Sequence, residues 1–108
     1  MELNLDDVVV AHNQEAHRFE ATVDGLRSLI TYRRFPERLV LQHTEVPPPL
    51  EGKGLAAKLT RTALDFARAS HLRVVPLCPY VSSFLRRYPE YQDLLSAHDL
   101  QRIQSRRK

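Results

Sequence analysis

The sequence predicts a mixed α+β domain: an antiparallel four-strand meander, then a helix, a parallel fifth strand and C-terminal helices. Three observations carry that expectation. His17 to Val23 alternates apolar with polar residues and runs into the strong hairpin dipeptide Asp24-Gly25. From Gly54 to about Ser70 the apolar spacing lengthens to that of a helix. The short apolar run Arg73-Val74-Val75-Pro76-Leu77 then completes a strand–helix–strand unit, which calls for parallel pairing with a right-handed crossover.

Taken in order, Asp7 to Ala11 contains Val8-Val9-Val10 and reads as a first strand. His17 to Val23 alternates, with Phe19, Ala21 and Val23 on one face and Arg18, Glu20 and Thr22 on the other. Leu26 to Arg33 returns as a third strand, and Phe35-Pro36-Glu37-Arg38 turns into a fourth, Leu39 to Val46. In the helix that follows, Leu55, Leu59, Thr62 or Ala63, and Phe66 define the apolar face; Lys58, Arg61, Asp65 and Arg68 define the other. Pro79 suits the first turn of a further helix running to Arg87, which places Cys78 at or near its N-cap. Pro89 interrupts that helix, and Glu90 to Leu95 adds one or two more turns. Residues 1–96 form one domain, and residues 97–108 a basic C-terminal tail or helix extension.

Composition excludes several classes. The 108 residues leave room for one modest core, and 43% hydrophobic with 27% charged residues is the balance of an ordinary globular chain. No apolar run approaches the roughly 20 residues that cross a bilayer, so no membrane partner is expected. The acidic start, Met1-Glu2-Leu3-Asn4-Leu5-Asp6-Asp7, lacks a secretory pattern. The single cysteine cannot form an internal disulfide; together these imply a reducing, cytoplasmic setting. Much of the net charge of +3 gathers at Arg102, Arg106, Arg107 and Lys108. With no aromatics interleaved for base stacking, nucleic-acid binding is not expected. His12, His17, His71 and His98 show no metal-ligand spacing and read as surface or loop residues, so no metal is expected.

The stretch Thr44-Glu45-Val46-Pro47-Pro48-Pro49-Leu50-Glu51-Gly52-Lys53-Gly54-Leu55-Ala56 carries the chemistry. A strand feeds a proline break, a glycine-bearing turn and a helix start. That order gathers unpaired backbone N–H groups at the positive end of a helix dipole, where an anion, most often a phosphate, is the expected guest. Side chains at positions 52 and 54 would obstruct its approach to the backbone.

The strand–helix order and this turn resemble the GNAT acyltransferase superfamily. Its signature there is Gln/Arg-x-x-Gly-x-Gly/Ala; Glu51-Gly52-Lys53-Gly54-Leu55-Ala56 matches its glycine and alanine positions but not its first. His43-Thr44-Glu45-Val46-Pro47, Val75-Pro76-Leu77-Cys78-Pro79 and Arg87-Tyr88-Pro89-Glu90-Tyr91 add a closer similarity to a subfamily of very small GNAT domains. The resemblance implies acetyl-CoA as cofactor. N–H groups of Glu51, Gly52, Lys53, Gly54, Leu55 and Ala56 would hold its pyrophosphate. Thr44 to Val46 would pair with the pantetheine amides where the fourth and fifth strands splay apart. Lys53 and Lys58 could add charge there, or stand as solvated surface.

Two departures matter. Only Asn13-Gln14-Glu15-Ala16 separates the first two strands, where GNAT domains usually insert helices over the acceptor site, so that site should be open. Phe84-Leu85 replaces the family's Phe-Tyr, and Leu85 cannot serve as the acid toward the CoA thiolate. Acetyl transfer to an amine needs a base, an oriented thioester and a proton for the leaving sulfur. Cys78, beside a helix N-terminus, could accept the acetyl group or supply that proton; a small buried hydrophobe is the other reading. His43 and Glu45, two apart on one strand face, could each act as base, or be a hydrogen-bonded and a solvated surface residue. Tyr80 and Tyr88 flank the last helix and could replace the missing acid, although Tyr88 with Tyr91 better suits packing of the helix against the sheet. The functional expectation is an acetyl-CoA-dependent N-acetyltransferase whose partners are a CoA thioester and an amine, of a protein or peptide. The alternative is a CoA-binding or sensor module without turnover, and the oligomeric state stays open.

Overall fold

The computed structural model describes residues 3–105, so Arg106, Arg107 and Lys108 of the expected basic tail lie outside the described residues. Five strands form one sheet in sequence order: β1 (Ala11–Asn13), β2 (Arg18–Val23), β3 (Leu26–Arg34), β4 (Arg38–Glu45) and β5 (Arg73–Pro76). The first four pair antiparallel and β4 pairs with β5 in parallel. Three α-helices follow: α1 (Leu55–Ala69), α2 (Pro79–Arg87) and α3 (Ala97–Ser105). Short 3-10 turns lie at Leu5–Asp7, Pro48–Leu50 and Pro89–Leu94. Among the described residues no helix is long and apolar enough to cross a membrane.

The Asp24-Gly25 hairpin forms as expected. Both residues have positive φ, 52° and 78°, the backbone that matches the twist of the flanking strands. The first strand does not lie at Asp7–Ala11. The valine triplet is unpaired, and the register Ala11↔Glu20, His12↔Phe19 starts the strand four residues later. The tight turn after Asn13 sets that register: the Asn13 side chain accepts from the Ala16 N–H, and His17 turns through φ 57°. Val8 is buried while Val9 is 80% exposed, so the triplet packs on one side without joining the sheet.

One face of the sheet carries the helices. Phe19, Ala21, Ile30, Tyr32, Leu39 and Leu41 meet Leu55, Leu59, Ala63, Leu64 and Ala67 of α1 in a single core. Thr60 joins that buried stripe, whereas Phe66 is only partly buried against the core's rim. His12 departs from its reading as a surface residue. It stacks on Phe19 at 4.1 Å and its Nε2 lies 2.7 Å from the Tyr32 hydroxyl. Ile103 of α3 is fully buried, and Arg86 donates to its carbonyl, so this helix packs on α2.

Candidate active site

The site begins with a β-bulge. Thr31 pairs with His43 and Tyr32 with Leu41, which leaves Gln42 as an extra residue in β4. Thr44 then pairs with Ile30 and shares its face with the core, while His43 and Glu45, opposite Thr31 and Leu29, point to the other face. A regular strand would have turned residue 43 inward in place of 44.

Beyond the bulge β4 loses its second neighbour. Pairing with β5 ends at Leu41↔Pro76, and the Leu77 and Cys78 N–H groups both donate to the Leu41 carbonyl, at 3.0 and 3.1 Å. The chain then leaves β5 for α2, and the outer edge of Gln42 to Glu45 has no strand partner among the described residues. Across this fork the Thr44 hydroxyl and Cys78 thiol lie 3.3 Å apart, the one side-chain bridge between its arms among the described residues. Cys78 is 4% exposed at the N-cap of α2.

The same fork opens onto the start of α1. Gly52 and Gly54 have φ of 77° and 91°, conformations that L side chains rarely adopt. A Cβ at Gly52 would meet nothing within 4 Å, whereas one at Gly54 would come 2.7 Å from Leu5 Cδ1. No side chain caps α1, and its first intrahelical bond is Lys58 N–H to the Gly54 carbonyl. The three N–H groups before it therefore have no helical partner. The Glu51 N–H is already given to Pro48, so the free cradle starts at Gly52, one residue later than the sequence implied. A cleft of about 220 Å³ lies here, lined by Val46, Leu50, Glu51, Gly52, Gly54, Leu55, Ala56, Ala57 and Tyr80.

Most of the expected cofactor residues are thus brought together. Leu55 offers only its backbone, since its side chain is core. Lys53 is half-buried and does not line the cleft. The Lys58 amine donates to the Leu5 carbonyl, which ties the N-terminal turn to α1. His43 and Glu45 form their own pair, Nε2 to Oε2 at 2.9 Å, with about 60% of the Glu45 side chain exposed. They stand on the opposite sheet face from Cys78. Tyr80 is one of the two residues, with Tyr88, that the sequence offered as a replacement for the missing acid. Its place one residue into α2 turns it into the cleft, and burial raises its pKa, which keeps the phenol protonated. Leu85, the family's expected acid position, is fully buried.

The backbone cradle, the strand fork and the order of elements define the class. The family profile of GCN5-related N-acetyltransferases matches residues 18–94, and this chain belongs to that family. Protein NATD1 of Bos taurus is 35% identical over 83 residues, spanning 74% of each chain. Protein NATD1 of Homo sapiens is 32% identical, again over 74% of each. Among solved structures, the NMR solution structure of a GCN5-like protein from Staphylococcus aureus superposes with a TM-score of 0.65. It is 25% identical in sequence, and the match covers 82% of this chain and 87% of that one.

Proposed function

We propose that the chain is an acetyl-CoA-dependent N-acetyltransferase that acts on an amine, of a protein or peptide, at an acceptor face that no helix covers among the described residues. One observation carries this reading: a glycine-led, uncapped helix start opens beside a strand fork whose arms meet at Thr44 and Cys78. The parts suit the two ends of a CoA thioester. N–H groups of Gly52, Lys53, Gly54, Leu55 and Ala56 suit the pyrophosphate. The free edge of Thr44 to Val46 suits an amide-rich chain, because backbone donors and acceptors alternate along it.

Bound acetyl-CoA supplies the reactive acetyl thioester. Glu45, hydrogen-bonded to His43 on the uncovered face, takes a proton from the incoming ammonium and leaves a neutral amine nucleophile. The fork's backbone N–H groups and the Thr44 hydroxyl steady the thioester carbonyl. The attacking nitrogen gives up its second proton to solvent, and Cys78 or Tyr80, afterwards reprotonated from solvent, hands a proton to the departing sulfur, which leaves an amide and a free thiol. Tyr80 suits the task because its hydroxyl stays protonated at neutral pH. An open face favours a large acceptor over an enclosed metabolite.

A second reading, a CoA-binding or sensor module without turnover, draws on the buried Leu85 in place of the family's acid. Both readings require that acetyl-CoA and CoA raise the melting temperature well beyond ATP. If neither does, both are wrong. An acetyl-CoA consumption assay with peptide amines then separates them. Turnover that falls at least tenfold in Cys78→Ala or Tyr80→Phe, with CoA affinity kept, supports the enzyme; binding with no turnover supports the module.

A further inference from the structure

The sheet face opposite α1 carries more than Glu45 and His43. Leu39 and Val74 point into the core, so by strand alternation Arg38 and Arg73 stand on this bare face, side by side where β4 pairs with β5. Arg33, opposite Val40, belongs to the same face. All three are exposed. They gather at the end of β4 away from the fork, about 15 Å from His43 along the strand.

Each guanidinium is held by a neutral partner. Those of Arg33 and Arg38 lie 5.5 and 4.2 Å from the centre of the Phe35 ring, and that of Arg73 donates to the Leu95 carbonyl at 2.9 Å. None of the three makes an ion pair with a carboxylate among the described residues. Arg38 and Arg73 line a cleft of about 460 Å³ together with Glu37, His71 and Asp93. Asp93 is bound through both oxygens to Arg68, at 2.7 and 3.0 Å, and Glu37 pairs with neither arginine. Like charges side by side on one sheet face repel. This end therefore suits a carboxylate from outside, to which a guanidinium fork donates two parallel hydrogen bonds.

The fork end of the face differs. There Arg18 bonds Glu20, the Arg27 charge acts on the same carboxylate, and His43 bonds Glu45, so positive charge is not in excess. A chain of uniform negative charge, such as a nucleic acid, matches only the arginine end. A segment with an amine at one end and carboxylates four or five residues away matches both, since extended chain advances about 3.3 Å per residue.

We propose that the bare face selects its acceptor: an extended protein segment whose lysine lies at the fork and whose acidic residues dock on Arg33, Arg38 and Arg73. The inference rests on the acceptor side assigned above and adds the substrate class. An acceptor face without this docking end would show no preference for acidic sequence.

The test compares three labelled peptides of about ten residues, each with one lysine. One carries three glutamates starting four positions after the lysine, one glutamines and one arginines; a second set places them before it, to cover both chain directions. Rates with acetyl-CoA give kcat and KM, and fluorescence anisotropy gives binding. Two or three exposed guanidinium–carboxylate pairs correspond to about 3- to 30-fold in KM and in affinity, less as salt is raised. The acidic peptide of one set should lead the glutamine peptide by that factor, with kcat alike, and the arginine peptide should come last. Arg38→Gln combined with Arg73→Gln should bring the acidic peptide to the level of the glutamine one. Equal KM for acidic and glutamine peptides in both sets overturns the inference and leaves acetyl transfer standing, as does a preference that survives the double variant. Acidic preference in binding with no turnover of any peptide supports the docking end and overturns acetyl transfer to peptides. No turnover and no binding preference overturns both. A single-stranded oligonucleotide of equal charge that binds more tightly than the acidic peptide also overturns the inference, by assigning the surface to nucleic acid. The wild-type comparison decides even if the double variant proves too unstable to use.

Discussion

The two faces of the sheet use the same strands for different ends. On the helix-covered face Leu39, Leu41, Ile30 and Phe19 are at most 1% exposed and the side chains are almost all apolar. On the bare face Glu20, Leu29 and Glu45 stand side by side across three strands, with His43 beyond. Leu29 is only 9% exposed there. Each face also holds one hydrogen-bonded histidine: His12 with Tyr32 on the covered side, His43 with Glu45 on the bare side. The difference teaches that the main core is built on one side of β4, which leaves the other side and its split end free for the proposed chemistry.

The largest expected effect would break that comparison if it failed. Leu41→Ala should destabilise the fold by about 2–5 kcal/mol, the range for emptying a buried leucine site. His43→Ala, one bulge away on the bare face, should change stability by less than about 0.5 kcal/mol yet slow acetyl transfer. Urea denaturation measures the first quantity and a turnover assay the second. Equal loss of stability in both variants would mean the bare face is structural.

A smaller effect sharpens the comparison at the rim where the two faces meet. Gly54→Ala should cost about 1–3 kcal/mol, since φ of 91° is strained for alanine and the new methyl crowds Leu5. Gly52→Ala should cost only the backbone part, about 1–2 kcal/mol, because space is open there. Leu5→Ala should recover part of the Gly54→Ala loss and none of the Gly52→Ala loss. Should Leu5→Ala rescue both equally, the contact at Gly54 is not the cause.

The smallest effect distinguishes the histidines by pH. Burial, aided by the nearby Arg34 charge, lowers the His12 pKa from its ordinary 6.5. The unfolded chain therefore takes up the proton first as pH falls. The His12 contribution is complete above pH 6.5 and declines below it, toward the lower folded-state value. Glu20 and Asp93, held below their ordinary 4.5 and 3.8 by Arg18 and Arg68, act only at more acid pH. His12→Gln should flatten the urea midpoint between pH 7.5 and 5.5 relative to wild type. An unchanged slope would show that His12 does not titrate in this window.

Local chemistry by itself determined much of this molecule. Alternation and helical spacing gave the β4–α1–β5 unit, because side-chain period follows directly from backbone geometry. Asp24-Gly25, the proline break and Gly52-x-Gly54 marked their turns, because few residues accept positive φ. Tertiary structure decided the rest. Val8-Val9-Val10 has every local preference of a strand, yet the Asn13–His17 turn sets a register that leaves it unpaired. The Gln42 bulge shows in no propensity; it arises where β4 must leave β5, and it alone turns Thr44 toward Cys78. The meeting of Arg61 with Phe84, Tyr88 and Tyr91 joins residues more than twenty positions apart. Such contacts depend on how α2 lies against α1, and helix packing is set by the whole core rather than by any segment that enters it.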